Sequence, residues 1–233
     1  MYKLFILFFV TCTVVLSSCK KDKNNTAKVL SFDFQSDANG WVGDFADYPN
    51  GPNVETMYEL QFSHAMLPTP LSTSDGALKQ SGINRSGDLF MFAKKKVTGL
   101  EPNKIYSVSV EVEIASNAAS GLVGVGGAPG ESVYIKAGAS TIEPTKVLNN
   151  ADNYYRLNID KGNQRTEGAT IKLLGDFSNG TASSDYKLKQ LATPSPIKIQ
   201  SSSNGELWLL VGTDSGFEAR TTIYYNSIKA TLQ

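Results

Sequence analysis

The stretch KIYSVSVEVEI at residues 104–114 decides the fold, because its side chains alternate between apolar and polar. Large apolar side chains occupy every second position: Tyr106, Val108, Val110, Val112 and Ile114. Serine and glutamate fill the positions between them: Ser107, Ser109, Glu111 and Glu113. A period of two is typical of a strand with one face on a core and the other in water. The segment therefore predicts a half-buried antiparallel strand.

The same period recurs along residues 28–233. It appears in KVLSFDF at residues 28–34 and in TMYELQF at residues 56–62, and shorter strand candidates include SGLVGV at residues 120–125. Asn-Gly, Pro-Gly and Ser-Gly pairs separate the candidates, and no twelve-residue window after residue 27 keeps a helical stripe. The polar stretch at residues 176–196 is expected to be a loop excursion. We predict one all-β domain at residues 28–233, an antiparallel β-sandwich of ten or eleven strands.

The first nineteen residues, MYKLFILFFVTCTVVLSSC, have the pattern of an export signal. Lys3 precedes an apolar run from Leu4 to Leu16, which is too short to span a bilayer. LSSC at residues 16–19 resembles the bacterial lipobox, and this resemblance implies cleavage after residue 18 and a lipid on Cys19. The alternative is an ordinary secreted protein with a free cysteine. Residues 19–27 are polar and predict a flexible tether.

The sequence after the expected cleavage site indicates where the protein works. Cys19-Lys20-Lys21-Asp22 resembles the start of outer-membrane lipoproteins of Bacteroidota, many of which reach the cell surface. The resemblance implies an outer-membrane location, and the membrane is expected to be contacted through the lipid alone. Removing 18 of the 233 residues leaves 21 basic and 22 acidic side chains. This balance gives no signal for a nucleic-acid partner.

Three motifs carry a resemblance to a known fold family. KVTGLEPNKIYSVSVEVEIAS at residues 96–116 contains the Gly-Leu-x-Pro-x-x-x-Tyr signature shared by fibronectin type III domains and jelly-roll carbohydrate-binding modules. Trp41 lies 59 residues before Leu100, which is too far for the fibronectin pattern. The opening SFDFQSDANGW at residues 31–41 and the ending at residues 207–232 are similar to those of the carbohydrate-binding modules. The resemblance implies a jelly roll that binds carbohydrate.

The resemblance also implies one metal site. Carbohydrate-binding modules of this kind often hold a structural calcium between the first and last strands. Asp33 and Asn226 occupy the corresponding positions, but an aspartate is usual where Asn226 stands. The missing charge weakens a site for a hard cation. Calcium is the one cofactor that the sequence leaves open, and the alternative is that Asp33 is a plain surface residue.

The stretch ANGWVGDFADYPNGPN at residues 38–53 is the candidate binding loop. It combines aromatic rings with carboxylates and amides, the composition of a sugar site, and we predict ligand contacts from Trp41, Asp44, Asp47 and Tyr48. The alternative is that Trp41 caps the core and Phe45 fixes the loop to it. Tyr48, beside Pro49, is expected to present an exposed face.

The sequence offers little material for catalysis. His64 is the only histidine and is expected just beyond a strand, so a histidine-based triad or zinc cluster has little support. We therefore expect a lipid-anchored surface protein that binds glycan and is not an enzyme. The alternative is a structural or adhesive lipoprotein that binds other proteins at the surface. A hydrolase or lyase built around His64 is the third and weakest candidate.

Overall fold

The computed structural model describes residue 1 and residues 27–233 of the chain. Cys19, with almost all of the predicted signal segment and tether, lies outside the described residues. The described part contains fifteen strands and one helix of four residues. Within the same residues, no helix has the length and apolar character that crossing a membrane requires.

The strands form three antiparallel sheets. The seven-stranded sheet contains β1 (Lys28–Phe32), β4 (Gln61–Met66), β5 (Gly76–Ile83), β7 (Ile105–Ser116), β12 (Lys187–Ala192), β13 (Ile197–Gln200) and β15 (Arg220–Leu232). The five-stranded sheet contains β2 (Val42–Ala46), β6 (Leu89–Val97), β8 (Val133–Ser140), β11 (Ile171–Asp176) and β14 (Leu207–Ser215). A small third sheet contains β3 (Tyr48–Pro49), β9 (Lys146–Asn149) and β10 (Tyr154–Leu157), and the helix α1 is Val54–Met57.

The order of the strands is that of a jelly-roll sandwich. The seven-stranded sheet runs β12-β7-β15-β5-β4, with β1 also paired to β15 and β13 to β7, and the five-stranded sheet runs β11-β8-β14-β6-β2. From β5 to β8 the chain alternates between the two sheets. The predicted antiparallel β-sandwich is confirmed. Its strands number fifteen within the described residues, against the ten or eleven expected, because several of them have only two to four residues.

The core lies between the two large sheets and follows the alternation of β7. Tyr106, Val108, Val110, Val112 and Ile114 are all buried in the main hydrophobic cluster. Inward side chains of the facing strand β14 complete this layer: Leu207, Leu209 and Val211. The serine and glutamate side chains of β7 lie on the opposite face. The face assignment made from the sequence is therefore correct.

Two predicted strands are wrong, and one loop contains a strand. The predicted strand at residues 56–62 is instead the end of α1, a turn and the start of β4. Glu59 adopts a left-handed backbone conformation (φ 51°) in the turn, and β4 starts at Gln61. Residues 120–125 form an exposed loop that turns at Gly121 (φ 77°). The stretch at residues 176–196, expected to be a loop excursion, contains the edge strand β12.

The outer face of the five-stranded sheet is covered by the chain itself. Phe90, Phe92 and Leu210 point away from the main core and form a second buried cluster. Leu157 and Ile159 pack on them from the segment at residues 146–169, which contains β9 and β10. The outer face of the seven-stranded sheet, in contrast, carries exposed side chains along β7 and β12. That face is therefore the more accessible of the two.

The packing of β7 generates a test of the fold. Ile114→Ala removes a side chain with 0% exposure, so the free energy of unfolding should fall by about 2–5 kcal/mol through lost burial and the cavity left behind. Ser109→Ala, on the opposite face of the same strand, should change it by less than about 0.5 kcal/mol. Urea unfolding of the two variants measures both values, and equal effects would contradict the assignment of faces.

Candidate functional site

Trp41, a predicted ligand contact, belongs to the core. Its side chain is 2% exposed, and its ring meets the rings of Phe32 and Phe34 edge-on, with centroids 5.5 Å and 6.4 Å away. Phe45 is also buried in the main cluster. A ring enclosed in this way offers no face to a sugar. The structure therefore matches the alternative interpretation, in which Trp41 and Phe45 fix the loop to the core.

Tyr48 is fully buried, so the expectation of an exposed aromatic face is wrong. Its hydroxyl donates a 2.8 Å hydrogen bond to Glu55 Oε1 and accepts one of 2.8 Å from Lys146 Nζ. The ring of Tyr155 lies against it, because β3 pairs with β10. Burial raises the pKa of Tyr48 to about 12, against the opposing effect of Lys146. The side chain is therefore part of an internal network.

Asp44 and Asp47 also face internal partners. Asp47 accepts from Arg156 Nη1 at 2.9 Å, and its second oxygen lies 2.9 Å from Lys161 Nζ. Asp44 accepts from the backbone N–H of Phe45 at 2.8 Å and lies 3.7 Å from Lys146 Nζ. The predicted binding loop thus turns its polar groups toward the segment at residues 146–169, which it helps to hold in place.

Asp47 belongs to a buried cluster of charges beneath that segment. Lys161 Nζ lies 2.8 Å from Asp214 Oδ2, and Lys136 Nζ donates to the same oxygen at 2.8 Å. Lys136 also donates to the backbone carbonyls of Lys161 and Thr166, both at 2.9 Å. Because Lys136 and Asp214 are completely buried on the sheet, these bonds attach the covering segment to it.

The cluster contains three carboxylates that are close enough to hold a metal ion. Asp47, Asp88 and Asp214 each offer an oxygen, and these oxygens lie within 4.8 Å of one another. The ammonium group of Lys161, however, already bridges Asp47 and Asp214. A divalent cation there would have to displace that ammonium group. The arrangement fits an internal salt-bridge network, and it would fit a metal site if that ammonium group moved away.

Asp88 is the carboxyl group of this cluster whose pKa is raised. Burial raises the pKa of its carboxyl group to about 7, with further raising by the neighbouring Asp47 and Asp214, against the opposing effect of Lys161. Asp214 behaves in the opposite way, because Lys161 and Lys136 outweigh its burial and hold its pKa below the ordinary value. Two carboxyl groups in contact therefore differ in charge near neutral pH.

The residues expected to bind calcium are separate from this cluster. Asp33 is exposed and follows the last residue of β1, and its side chain accepts from the backbone N–H of Gln35 at 3.3 Å. Asn226 Nδ2 donates to Glu113 Oε1 at 2.6 Å. The asparagine amide thus points to a carboxylate, and a calcium site at Asp33 and Asn226 stays a prediction.

His64 lies inside β4, not beyond a strand as expected. Its Nε2 is 2.7 Å from the backbone carbonyl oxygen of Phe34, so the ring donates a hydrogen bond that fixes the chain after β1. This contact gives His64 a structural role.

A groove of about 350 Å³ lies on the outer face of the seven-stranded sheet. Its floor is built by three neighbouring strands, since Gln190 of β12 pairs with Glu113 of β7, and Glu113 pairs with Ser227 of β15. The next row along the strands is Ala192, Glu111 and Lys229. Alternation on each strand directs all six side chains to this one face. The volume is at the lower end of the range of about 300–1,000 Å³ typical of ligand sites.

Glu113 is the centre of the groove, and two amides hold it. Gln190 Nε2 donates to Glu113 Oε2 at 3.1 Å, and Asn226 Nδ2 donates to Glu113 Oε1 at 2.6 Å. The second amide reaches Glu113 because the β7–β15 register shifts between Tyr225 and Ser227, which is a β-bulge that adds Asn226. Asn226 Oδ1 is buried and has no hydrogen-bond partner.

One end of the groove is ionic. Lys229 Nζ lies 2.9 Å from Glu111 Oε1, with both side chains about half exposed. Beyond the other end, in the row next to Glu113, Leu188 and Ala115 are neighbours, and Ala115 pairs with Tyr224. Ala115 and Tyr224 are buried, and Leu188 is exposed. The groove is therefore bordered on this side by one exposed apolar side chain.

The sequence analysis predicted no ligand site at these groove residues, apart from Asn226 as a possible calcium ligand. It placed Glu111 and Glu113 correctly on the water-facing side of β7 but treated them as an ordinary solvated face. Gln190 lay in the stretch expected to be a loop. The repeated acidic residues on the longest alternating strand were the one signal available.

Comparisons with known proteins do not assign a family. No protein-family model matches the chain, and a search of curated proteins finds no match. Among solved structures, the chain resembles the mannan-recognising carbohydrate-binding module TmCBM27 with 12% identity and a TM-score of 0.41, over 89% of this chain and 99% of that one. It resembles the xylan-binding module CBM15 with 14% identity and a TM-score of 0.37, over 89% of this chain and 97% of that one.

A third solved structure is an enzyme. The enzymatically active domain of tailspike protein 4 of bacteriophage CBA120 has 10% identity and a TM-score of 0.37, over 84% of this chain. This chain spans only 20% of the length of that protein. At such identities and TM-scores the likenesses do not assign a function, which has to be argued from the groove itself.

The buried charge cluster generates a pH-dependent prediction. Because the pKa of Asp88 is raised in the folded state, its contribution to stability is complete below the unfolded pKa of about 3.9 and is lost as pH rises through about 7. Asp88→Asn cannot ionise. The free energy of unfolding of the variant relative to the unmodified protein should therefore increase from pH 5 to pH 8.

Urea unfolding at four pH values between 5 and 8 measures this difference. Asp37→Asn, which removes an exposed carboxylate after β1, is the matched control for the substitution itself. A difference for Asp88→Asn that is flat with pH would contradict the assignment.

Proposed function

We propose that this protein binds glycan in the groove on the outer face of the seven-stranded sheet and does not cleave it. The observation that carries the proposal is the row of Gln190, Glu113 and Asn226, in which an amide, a carboxylate and a second amide lie side by side. Planar polar groups fixed in one row are suited to the hydroxyl groups that a sugar ring presents along its edge.

An exposed apolar side chain beside the groove supports the same ligand. Sugar rings carry patches of aliphatic hydrogens next to their hydroxyl groups, and such patches pack on apolar or aromatic surface. Leu188 is 44% exposed, and it lies in the row next to Gln190 and Glu113. An exposed leucine beside a polar row is therefore suited to a sugar ring, which presents both kinds of surface.

Binding without cleavage is favoured by how the two groove carboxylates are occupied. Glycoside hydrolysis needs one carboxyl group as a proton donor and a second as base or nucleophile. Glu111 contacts the Lys229 ammonium group, and Glu113 accepts from two amides. Both groups thus act as acceptors in the structure, which is the role of a binding carboxylate.

The proposal includes a lipid anchor at Cys19 and an outer-membrane location. The partners would then be glycans that reach the cell surface. Residue 28 begins β1, and Lys28 Nζ donates to the backbone carbonyl of Thr98 at one end of the sandwich. β1 flanks the groove, because Ser31 pairs with Lys229, and a tether before Lys28 would join the sandwich three residues from that pair. The groove opens on the outer face of the sheet, which we expect an anchored chain to leave accessible.

Affinity electrophoresis against galactan, mannan, xylan and β-glucan tests the binding function. The unmodified protein should be retarded by at least one polysaccharide and release no reducing sugar. Gln190→Ala removes one of the two amides and should weaken retention about tenfold, a typical loss for a hydrogen bond to a charged group.

The matched control is Gln61→Ala, since Gln61 is also an exposed glutamine on an edge strand of the same sheet. It should leave retention unchanged. Failure of the unmodified protein to bind any of the four polysaccharides, or equal losses in the two variants, would count against the groove as a glycan site.

A second candidate function, adhesion to other proteins, is favoured by one further observation. Leu122, Val123 and Val125 project from the loop after β7 and are 46%, 96% and 69% exposed. The loop is fixed in this form, because Glu218 N–H donates to the Val125 carbonyl and Gly121 N–H donates to Glu131 Oε1. Apolar side chains held in water in this way are typical of a protein-contact site.

Adhesion of bacteria that display the protein to immobilised fibronectin, collagen or fibrinogen tests this candidate. Val123→Asp places a charge at the most exposed apolar position and should abolish adhesion without affecting stability. Gln190→Ala, in the groove, should leave adhesion intact. The opposite result, loss of adhesion in Gln190→Ala alone, would exclude the loop as the adhesive surface.

A further inference from the structure

We propose that the groove selects uncharged, hydroxyl-rich glycans and rejects those that carry carboxylate or sulfate groups. This inference rests on the proposed glycan-binding function and adds the chemical class of the ligand. It follows from the charges that face the groove and from the free hydrogen-bond acceptor positions of Glu113 on its floor.

The groove floor is acidic. The residues that line it carry two carboxylates, Glu111 and Glu113, and a single cation, Lys229. Because Lys229 lies 2.9 Å from Glu111, its charge is already neutralised by a partner. Glu113, in the middle of the floor, is left with neutral amides as its partners. An approaching anion would therefore meet an uncompensated carboxylate.

Among the residues that the structure describes, the strands beside the floor place no free cation in the row of Glu113. On β12, Lys187 and Lys189 lie on the other face, and Lys189 Nζ contacts Asp176 and the Ser178 carbonyl. On β5, Lys79 pairs with Tyr224, and its Nζ lies 6.0 Å from the centre of the Tyr224 ring. On β13, Lys198 pairs with Ser107, six residues along β7 from Glu113. An anionic sugar could bind only by separating Lys229 from Glu111, which would leave Glu111 unpaired.

The free hydrogen-bonding capacity of Glu113, at the centre of the floor, is that of an acceptor. A carboxylate has about four acceptor positions, and the two amides of Gln190 and Asn226 occupy two of those on Glu113. One position remains on each oxygen, which is the pattern needed to accept from two adjacent hydroxyl groups of a sugar. Asn226 Oδ1 is buried, so the acceptor positions that a ligand can reach are those of Glu113. Hydroxyl groups can donate to these positions, whereas carboxylate and sulfate oxygens cannot.

The experiment compares each retained polysaccharide with a counterpart that differs in charge. The primary hydroxyl groups of a neutral hexose polysaccharide are oxidised to carboxylates, xylan is compared with carboxymethyl xylan, and polygalacturonate is compared with its carboxyl-reduced product. The dissociation constants are measured by isothermal titration for the unmodified protein, Glu113→Gln and Glu167→Gln. Glu167, about one-third exposed on the covering segment of the other sheet, is the matched control for loss of one negative charge.

The unmodified protein should bind the uncharged member of each pair at least about tenfold more tightly, as expected for juxtaposed like charges. Glu113→Gln should weaken binding of the uncharged member and reduce that preference to near unity, because an amide neither repels an anion nor accepts on both sides. Glu167→Gln should change neither quantity. The preference should also fall as salt is raised from 50 to 500 mM, since screening weakens the repulsion.

Each outcome separates the inference from the function on which it rests. Equal or tighter binding of the charged member would overturn the charge selection and leave glycan binding in place. A preference that persists unchanged in Glu113→Gln would also overturn it, because the missing hydroxyl group and not the charge would then explain the loss. Binding of no polysaccharide, charged or uncharged, would overturn the glycan-binding function itself.

Discussion

The pairing of β7 with β15 in the middle of the seven-stranded sheet is the constraint on which the rest of the structure depends. These are the two longest strands, and their registered alternation sends one set of side chains to the core and the other to the outer face. The core set includes Val110, Val112 and Ile228, which are about 1% exposed. The outer set includes Glu113, Ser227 and Lys229. One period of two thus determines both the packing and the chemistry of the groove.

The two outer faces of the sandwich differ in exposure, because the segment at residues 146–169 covers one of them. On the five-stranded sheet this segment buries Phe90 and Phe92, and it is attached by the buried salt bridge from Lys161 to Asp214 and by hydrogen bonds from Lys136 to two of its backbone carbonyls. Such buried charges contribute less to net stability than to fixing one arrangement, because desolvation offsets much of their attraction. The cover leaves the seven-stranded sheet as the face that is free to meet a large ligand.

The sequence predicted what depends on local pattern and failed where distant segments meet. The alternation of β7 placed Ile114 inside and Glu113 outside correctly, since a strand's faces follow from its own residues. Tyr48 looked exposed in its glycine- and proline-rich loop, but β10, more than a hundred residues later, covers it. Gln190 lay in a stretch too polar to suggest a strand, because an edge strand such as β12 buries few of its side chains. The second amide could not be foreseen, since a bulge depends on the register of two strands.

The bulge at Asn226 adds a residue that contributes to the groove and not to the pairing of β7 with β15. Tyr225 pairs with Ile114 and Ser227 pairs with Glu113, so two strands of ordinary geometry would meet in the same way without the residue between them. Asn226 is therefore not needed for strand pairing. Its side-chain amide donates a hydrogen bond to Glu113. Loss of this one codon in a related gene would leave a regular sheet with a less restrained carboxylate. Related chains could therefore diverge in ligand choice by insertion and deletion at this point, while their cores remain the same.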